Sequence, residues 1–230
     1  SGQVTHVIRM RPGPLLGLQP VLTGGIPTAR ATLTSAMRAQ RAAGAVAGVN
    51  ADYFNLNQGF PSGLLISGGE LVKEPEASRS ALAIGVGTSL SVARMVLAAS
   101  WAPVLPEGSP PPTTRFIQGV NRPAQRSSET LLYTPRYGRS TPTGARTEAV
   151  ISIDGGAPPA VGSTLTGTVV ATTTKGGSPI PNGRVVLTGV GSAAKNIAPL
   201  VNGTRVQITL AVTGLPTGVQ TAIGGGPVLV

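Results

Sequence analysis

The residues best suited to chemistry follow a short apolar run near position 50. Residues 45–49 are small and apolar, which predicts a short buried strand, and Asn50, Asp52 and Tyr53 come directly after it. A loop containing Gly63 then leads to a second apolar run. Polar side chains at the end of a buried strand, covered by a glycine-bearing loop, commonly form a binding site. The alternative is an Asx-turn, in which Asn50 and Asp52 bond to their own backbone.

The composition predicts a strand-rich fold. Of 230 residues, 40% are hydrophobic and only 11% are charged, and the chain contains 32 Gly and 21 Pro. Few charges and frequent turn residues are typical of hairpins and not of a helical bundle. The length suits one large domain or two small ones, and we expect a single domain over residues 1–230. Aromatic residues make up only 3% of the chain, so Val, Leu, Ile and Ala must build most of the core.

The chain is basic, with a net charge of +10, and most of the cations are arginines. A basic protein is attracted to polyanions such as nucleic acid, anionic lipid or envelope polymers. The arginines are scattered singly, however, and no recognition helix, zinc finger or aromatic RNA-binding pattern accompanies them. The sequence therefore predicts no specific binding of nucleic acid.

Cysteine is absent, which excludes disulfides, thiolate nucleophiles and Cys-ligated metal sites. No apolar run approaches the roughly 20 residues that span a bilayer, so we expect no transmembrane segment. Strands rich in Thr and Gly, with little Lys, favour an extracellular or cell-envelope location.

Two helices are predicted. Thr28 can cap a main helix at about 29–43, where apolar residues recur at three-to-four spacing, and Gly44 is a natural stop. A short second helix is predicted at about 192–200. With the strands below, the expected fold class is α+β, in which the main helix packs on a mixed sheet.

Most other segments read as strands and turns. Paired glycines at 68–69 predict a hairpin over 64–72, and Asp154-Gly-Gly predicts a hairpin turn in preference to a catalytic acid. The proline-rich segment 101–114 predicts an exposed loop or a seam between subregions, with Trp101 as its anchor. The remaining predicted strands lie at 3–10, 81–86, 90–97, 130–134, 147–153, 165–172, 183–188, 205–212 and 221–230.

Four stretches, in order along nearly the whole chain, resemble the phosphodiester glycosidase family. They are VNADYF at 49–54 with PSGL at 61–64 and GGEL at 68–71; RSALAI at 79–84; GVNR at 119–122 with LLYTPRYG at 131–138; and IPNGRVVL at 180–187 with AIGGGPVL at 222–229. The resemblance implies hydrolysis of sugar-1-phosphodiester linkages.

The chain departs from the family after the Gly-Gly-Gly-Pro stretch. Members normally continue into an Arg-Thr-Ala segment and an Asp-Gly-Gly-Gly-Ser motif, which this sequence lacks. The resemblance therefore implies an N-terminal portion that needs a further piece, for example a second chain from the same precursor. The apolar stretch 221–230 is expected to pair inside a sheet.

The chemistry of such a reaction needs an acid or base near the anomeric carbon and cations for the phosphate. Asp52 is the best-placed carboxylate, and Asn50 could donate to sugar hydroxyls. Arg79 and Arg122 are the phosphate candidates, because a guanidinium matches two phosphate oxygens.

Further site residues are Asn121, Tyr53 and Gly63, which the resemblance adds as substrate-binding residues. A second carboxylate would come from Glu74, Glu76 or the missing piece. Calcium could bind to Asp52 and backbone carbonyls, but no loop motif supports such a site.

Three functions remain open from the sequence. The first is a hydrolase of sugar phosphodiesters in extracellular or envelope glycans. The second is a non-catalytic carbohydrate-binding or envelope module with the same fold. The third is a basic structural protein that binds anionic polymers through charge alone. For the hydrolase, the sequence predicts that Asn50, Asp52, Arg79 and Arg122 converge on one cleft.

Overall fold

The computed structural model describes residues 7–11, 17–25, 30–57, 59–76, 78–85 and 89–225. The predicted helix start at 28–29 and the last five residues of the predicted strand 221–230 lie outside this part of the chain. Within it, the protein is mixed α+β and mostly β, with three sheets and two short helices.

A five-stranded antiparallel sheet holds the elements around Asp52. Its strands run in the spatial order β2-β1-β15-β3-β4, so the last strand among the described residues lies at the centre. The prediction that the segment from residue 221 pairs inside a sheet is thereby confirmed for the described residues. The bounds are β1 Leu65–Ser67, β2 Glu70–Lys73, β3 Ser80–Ile84, β4 Leu90–Arg94 and β15 Thr221–Gly224.

An eight-stranded sheet forms the larger layer, in the order β7-β6-β13-β11-β10-β12-β9-β8. Its pairs are antiparallel except β8 with β9, so the predicted mixed sheet is confirmed. The bounds are β6 Ala99–Pro103, β7 Arg115–Ile117, β8 Gly119–Val120, β9 Glu129–Tyr133, β10 Thr147–Ile153, β11 Thr164–Thr173, β12 Arg184–Val190 and β13 Arg205–Thr209. Two short strands, β5 Val96–Leu97 and β14 Val212–Thr213, form a separate pair.

One hydrophobic core joins the two large sheets. Its buried side chains include Ile66 and Leu71 from the five-stranded sheet and Trp101, Leu187 and Ile208 from the eight-stranded sheet. Because aliphatic residues supply most of this core, the low aromatic content is no obstacle to burial. Trp101 is only 2% exposed and belongs to this core.

The helix predicted as the main one is a minor element. It comprises α1, Leu33–Gln40, and a 3₁₀ turn, Arg41–Ala43, which ends at Gly44 in the left-handed conformation. Thr32 caps it by accepting a hydrogen bond from the N–H of Ser35. No residue of α1 is buried. The second helix, α2 Ala194–Ile197, follows a 3₁₀ turn and contributes Ile197 to the core.

The predicted strand at 45–49 is wrong. This run has no strand partner among the described residues, and Val46 and Val49 are exposed. It instead passes close to α1, since a Cβ atom on Gly48 would lie 2.5 Å from Sδ of Met37. Small residues that permit a close backbone approach to a helix resemble a buried strand when only their hydrophobicity is considered.

The proline-rich segment connects two strands of one sheet. β6 ends at Pro103 and pairs with β7, so residues 104–114 form an exposed hairpin loop. Both flanking strands belong to the eight-stranded sheet. The hairpin at 64–72 and the turn at Asp154–Gly156 are confirmed. The predicted strands 81–86 and 90–97 pair as β3 and β4, but β4 ends at Arg94 and residues 96–97 belong to β5.

Candidate functional site

Asp52 lies beside one end of two paired strands of the five-stranded sheet, β1 and β15. Gly63 precedes β1 and Gly224 ends β15, and these two strands pair. The Oδ2 atom of Asp52 accepts a hydrogen bond from the N–H of Gly63 at 2.5 Å, and Oδ1 accepts one from the N–H of Tyr53 at 2.7 Å. The Asp52 side chain is only 6% exposed, so these bonds hold it in one position.

The two glycines make room for this carboxylate. A Cβ atom on Gly63 would lie 2.6 Å from Oδ2 of Asp52, and one on Gly224 would lie 2.5 Å from the same oxygen. Both distances are shorter than any contact that a real Cβ makes. The structure therefore gives Gly63 a positioning role, since it supports Asp52 through its N–H and its missing side chain.

Arg79 forms an ion pair with Asp52. It directly precedes β3, which pairs with β15, and this topology brings its side chain to the same end of the sheet. Its Nη2 atom lies 2.8 Å from Oδ1 of Asp52, although the N–H bond is not aligned for a hydrogen bond. The distance identifies a charge contact, because two opposite charges this close attract each other at any orientation. The Arg79 side chain is 14% exposed.

The ring of Tyr53 covers the guanidinium of Arg79. The Arg79 Cζ atom lies 5.0 Å from the ring centroid, within the range of a cation–π contact. Tyr53 is 67% exposed, so the rest of its ring faces solvent. Asp52, Tyr53 and Arg79 thus converge, as the sequence predicted for Asp52 and Arg79. Asn50 lies two residues before Asp52 and is exposed, so its predicted role stays a prediction.

Arg122 is not available to a phosphate. Its guanidinium has five N–H donors, and all five meet oxygens of the protein. They contact Oε1 of Glu74, both carboxylate oxygens of Glu129, and the carbonyl oxygens of Gln118 and Pro123. The predicted phosphate contact is therefore corrected: Arg122 is a buried structural cation.

The charges around Arg122 stabilise each other. Burial alone would lower the pKa of Arg122, but its hydrogen bond to Glu129 and the charges of Glu74 and Glu129 outweigh this and raise it. Burial alone would raise the pKa of Glu129. Hydrogen bonds from Arg122 and from the N–H of Gln125 outweigh that effect and hold the pKa below its ordinary value.

Asn121 is also structural, which corrects its predicted substrate contact. It is 0% exposed and adopts a left-handed backbone conformation with φ of 54°. Its amide donates to the carbonyl of Val72 and to Oγ1 of Thr134, and its Oδ1 accepts the N–H of Thr134. These bonds connect the two large sheets, because Val72 belongs to β2 and Thr134 follows β9.

The two glutamates suggested as a second carboxylate differ in availability. Glu74 is buried, and its oxygens meet Lys73, Arg122 and the N–H of Val120. Glu76 is exposed in the turn that leads to Arg79, whose N–H donates to the Glu76 carbonyl. Within the described residues, no cluster of three or more His, Asp or Glu could hold a metal ion.

Two residues that shape these contacts, Gly224 and Glu129, were not predicted from the sequence. The triple glycine at 224–226 was a signal for the first, because consecutive glycines often mark a close backbone approach. Glu129 gave no signal, because in the sequence a single buried acid at the start of a strand cannot be distinguished from a solvated one.

Comparisons with known proteins show the fold. No protein-family model matches the sequence, and no curated protein matches it. The solved structure of a hypothetical protein from Synechocystis superposes with a TM-score of 0.68 at 21% identity, covering 90% of this chain and 36% of that one. The structure named "Putative exported protein" from Burkholderia pseudomallei superposes with a TM-score of 0.63 at 21% identity, covering 89% and 45%.

The shared feature is the fold alone. This chain spans less than half the length of both solved proteins. One of the two is called exported, and in the described part of this chain no helix has the length and apolarity to cross a bilayer.

Proposed function

We propose that the chain is part of a hydrolase that cleaves sugar-1-phosphodiester linkages in extracellular or cell-envelope glycans. The observation that carries the proposal is the convergence of Asp52, Arg79 and Tyr53 at one end of the five-stranded sheet. The family resemblance supports it, since all three residues fall within matching blocks. The name of the exported structural neighbour is consistent with the proposed location.

Each of the three residues has a role in this proposal. Arg79 binds the phosphate, because the contact with Asp52 engages only one of its nitrogens and leaves other donors for phosphate oxygens. Tyr53 offers an exposed ring face to the apolar side of a sugar. Asp52 acts as the acid or base at the anomeric centre, where such a group typically contributes about 10²–10⁴ in rate.

The proposed site needs a second carboxylate, as most glycosidases do. Glu76 is the remaining candidate in this chain, because Glu74 is engaged by Lys73 and Arg122. The other source is a second polypeptide from the same precursor. The greater length of both structural neighbours is compatible with that source.

A non-catalytic carbohydrate-binding module is the second candidate. It is favoured by the engagement of Asp52, whose oxygens already accept two backbone N–H groups and contact Arg79. A carboxylate held in this way can serve to position Arg79 and Tyr53 for binding without chemistry.

The first test measures sugar release from a hexosamine 1-phosphate methyl diester by the full-length protein. We expect Asp52→Asn to lower the rate at least about a hundredfold, in line with the loss of an acid or base. Asp154→Asn is the matched control, because Asp154 also pairs with an arginine, Arg205, but on the opposite sheet and at the surface. It should retain the wild-type rate.

Stability must be followed in the same experiment. The amide introduced by Asp52→Asn places an NH₂ group against an N–H donor, which we expect to cost about 1–3 kcal/mol. Rates are therefore compared well below the melting temperature of each variant. Tyr53→Ala gives an independent readout, because we expect it to raise KM with little change in kcat. Wild-type activity in Asp52→Asn would exclude Asp52 as the acid or base, and sugar binding without turnover would establish the binding module.

A further inference from the structure

A cleft of about 370 Å³ lies at the other end of β1 and β2 from Asp52. Glu70 begins β2 directly after the Gly68–Gly69 turn, whereas Gly63 lies before the start of β1. The opposite wall comes from the eight-stranded sheet, where Arg184 begins β12 and Asn182 lies in the turn before it. The cleft is thus formed by both large sheets.

Arg184 lines this cleft without a partner. Its side chain is half-buried, and no described residue forms a hydrogen bond or ion pair with it. A guanidinium carries five N–H donors. Since a partly buried cation loses hydration, a group that supplies oxygens to Arg184 is favoured at this position.

Arg136 adds a second guanidinium, which is only partly engaged. Its Nε donates to Oε2 of Glu70 at 2.6 Å, and its Nη1 makes a long contact of 3.4 Å with the carbonyl oxygen of Gly25. The charged residues that line the cleft are Glu70, Arg136 and Arg184. Two cations against one anion leave a net positive charge, which favours an anionic ligand.

We propose that this cleft binds the phosphate group of a small sugar phosphate. A planar guanidinium matches two oxygens of a phosphate, and Arg184 has its donors free for this contact. The volume is within the range of small-molecule sites and exceeds that of inorganic phosphate alone. Pro158 and Pro159 supply apolar surface for the carbon atoms of the ligand. The inference does not depend on the role of Asp52.

The test is a calorimetric titration of the purified protein with glucose 1-phosphate, inorganic phosphate and glucose. We expect both phosphates to bind and glucose not to bind. Arg184→Gln should weaken phosphate binding at least about tenfold. This variant leaves no buried carboxylate without its partner, whereas replacement of Arg136 would do so for Glu70.

Arg38→Gln is the matched control, because it removes the same charge from an exposed position on α1. It should change the affinity less than about twofold. Tighter binding of glucose 1-phosphate than of inorganic phosphate identifies a sugar phosphate as the ligand, and equal affinities identify free phosphate. The proposal is overturned if neither phosphate binds saturably, if glucose binds as well as glucose 1-phosphate, or if Arg38→Gln weakens binding as much as Arg184→Gln.

Discussion

Two arginines with similar sequence contexts have different roles. Arg79 and Arg122 both stand beside a short strand, and both were predicted to bind phosphate. Arg79 contacts one carboxylate and the exposed ring of Tyr53. Arg122, in contrast, is surrounded by five oxygens of the protein. The number of acceptors around a guanidinium, which depends on the tertiary fold, decides which arginine can bind a ligand.

Glu129 should control the acid stability of the protein. Its pKa is lowered in the folded state, so its interactions stabilise the fold above the ordinary glutamate pKa of about 4.3 and are lost as the pH falls through the folded value. We expect Glu129→Gln to lower the free energy of unfolding by about 3–5 kcal/mol at pH 7, because Arg122 keeps a buried charge with one partner fewer.

The measurement is urea unfolding between pH 3 and pH 7. Below about pH 4.3 the wild type should lose stability more steeply than Glu129→Gln, so the two curves should converge. Glu107→Gln, in the exposed loop 104–114, is the control and should follow the wild type at every pH. Parallel curves for the wild type and Glu129→Gln would contradict the assignment.

At the scale of elements, local signals predicted most strands. The Gly68–Gly69 turn and the alternation in β11 reflect backbone and burial requirements that act over a few residues. The strand expected at 45–49 failed because strand formation needs a partner, and its neighbour is α1. The sequence shows that Tyr53 follows Asp52. The contact between Asp52 and Gly224 depends on the pairing of β1 with β15, which local signals cannot predict.

Gly224→Ala tests the junction between Asp52 and β15. The new Cβ would lie 2.5 Å from Oδ2 of Asp52 and 2.9 Å from the backbone nitrogen of Leu64, and the backbone cannot move away easily. We expect a loss of about 1–3 kcal/mol of stability, as is usual for overpacking. Gly17→Ala is the control, since no atom of the described residues lies within 4 Å of its added Cβ. Equal melting temperatures of both variants, by circular dichroism, would exclude the steric role of Gly224.

At the scale of the whole molecule, the two large sheets should unfold together. They share one core, and Asn121 connects β2 to the residue after β9. Trp101, the only tryptophan, is buried in the eight-stranded sheet, while far-ultraviolet circular dichroism reports on both sheets. We expect the fluorescence and dichroism transitions in urea to coincide, as two-state unfolding requires. Separate midpoints would show that the sheets are independent units.

The central position of β15 has a consequence for how the protein is made. Leu65 pairs with Ile223, and β15 also pairs with β3. The ribosome synthesises β15 much later than β1 and β3, so neither strand can form this pairing until then. Contacts between distant parts of a chain form slowly, and open strand edges invite aggregation meanwhile. The five-stranded sheet of a nascent chain can therefore be completed only after residues 221–224 have been synthesised.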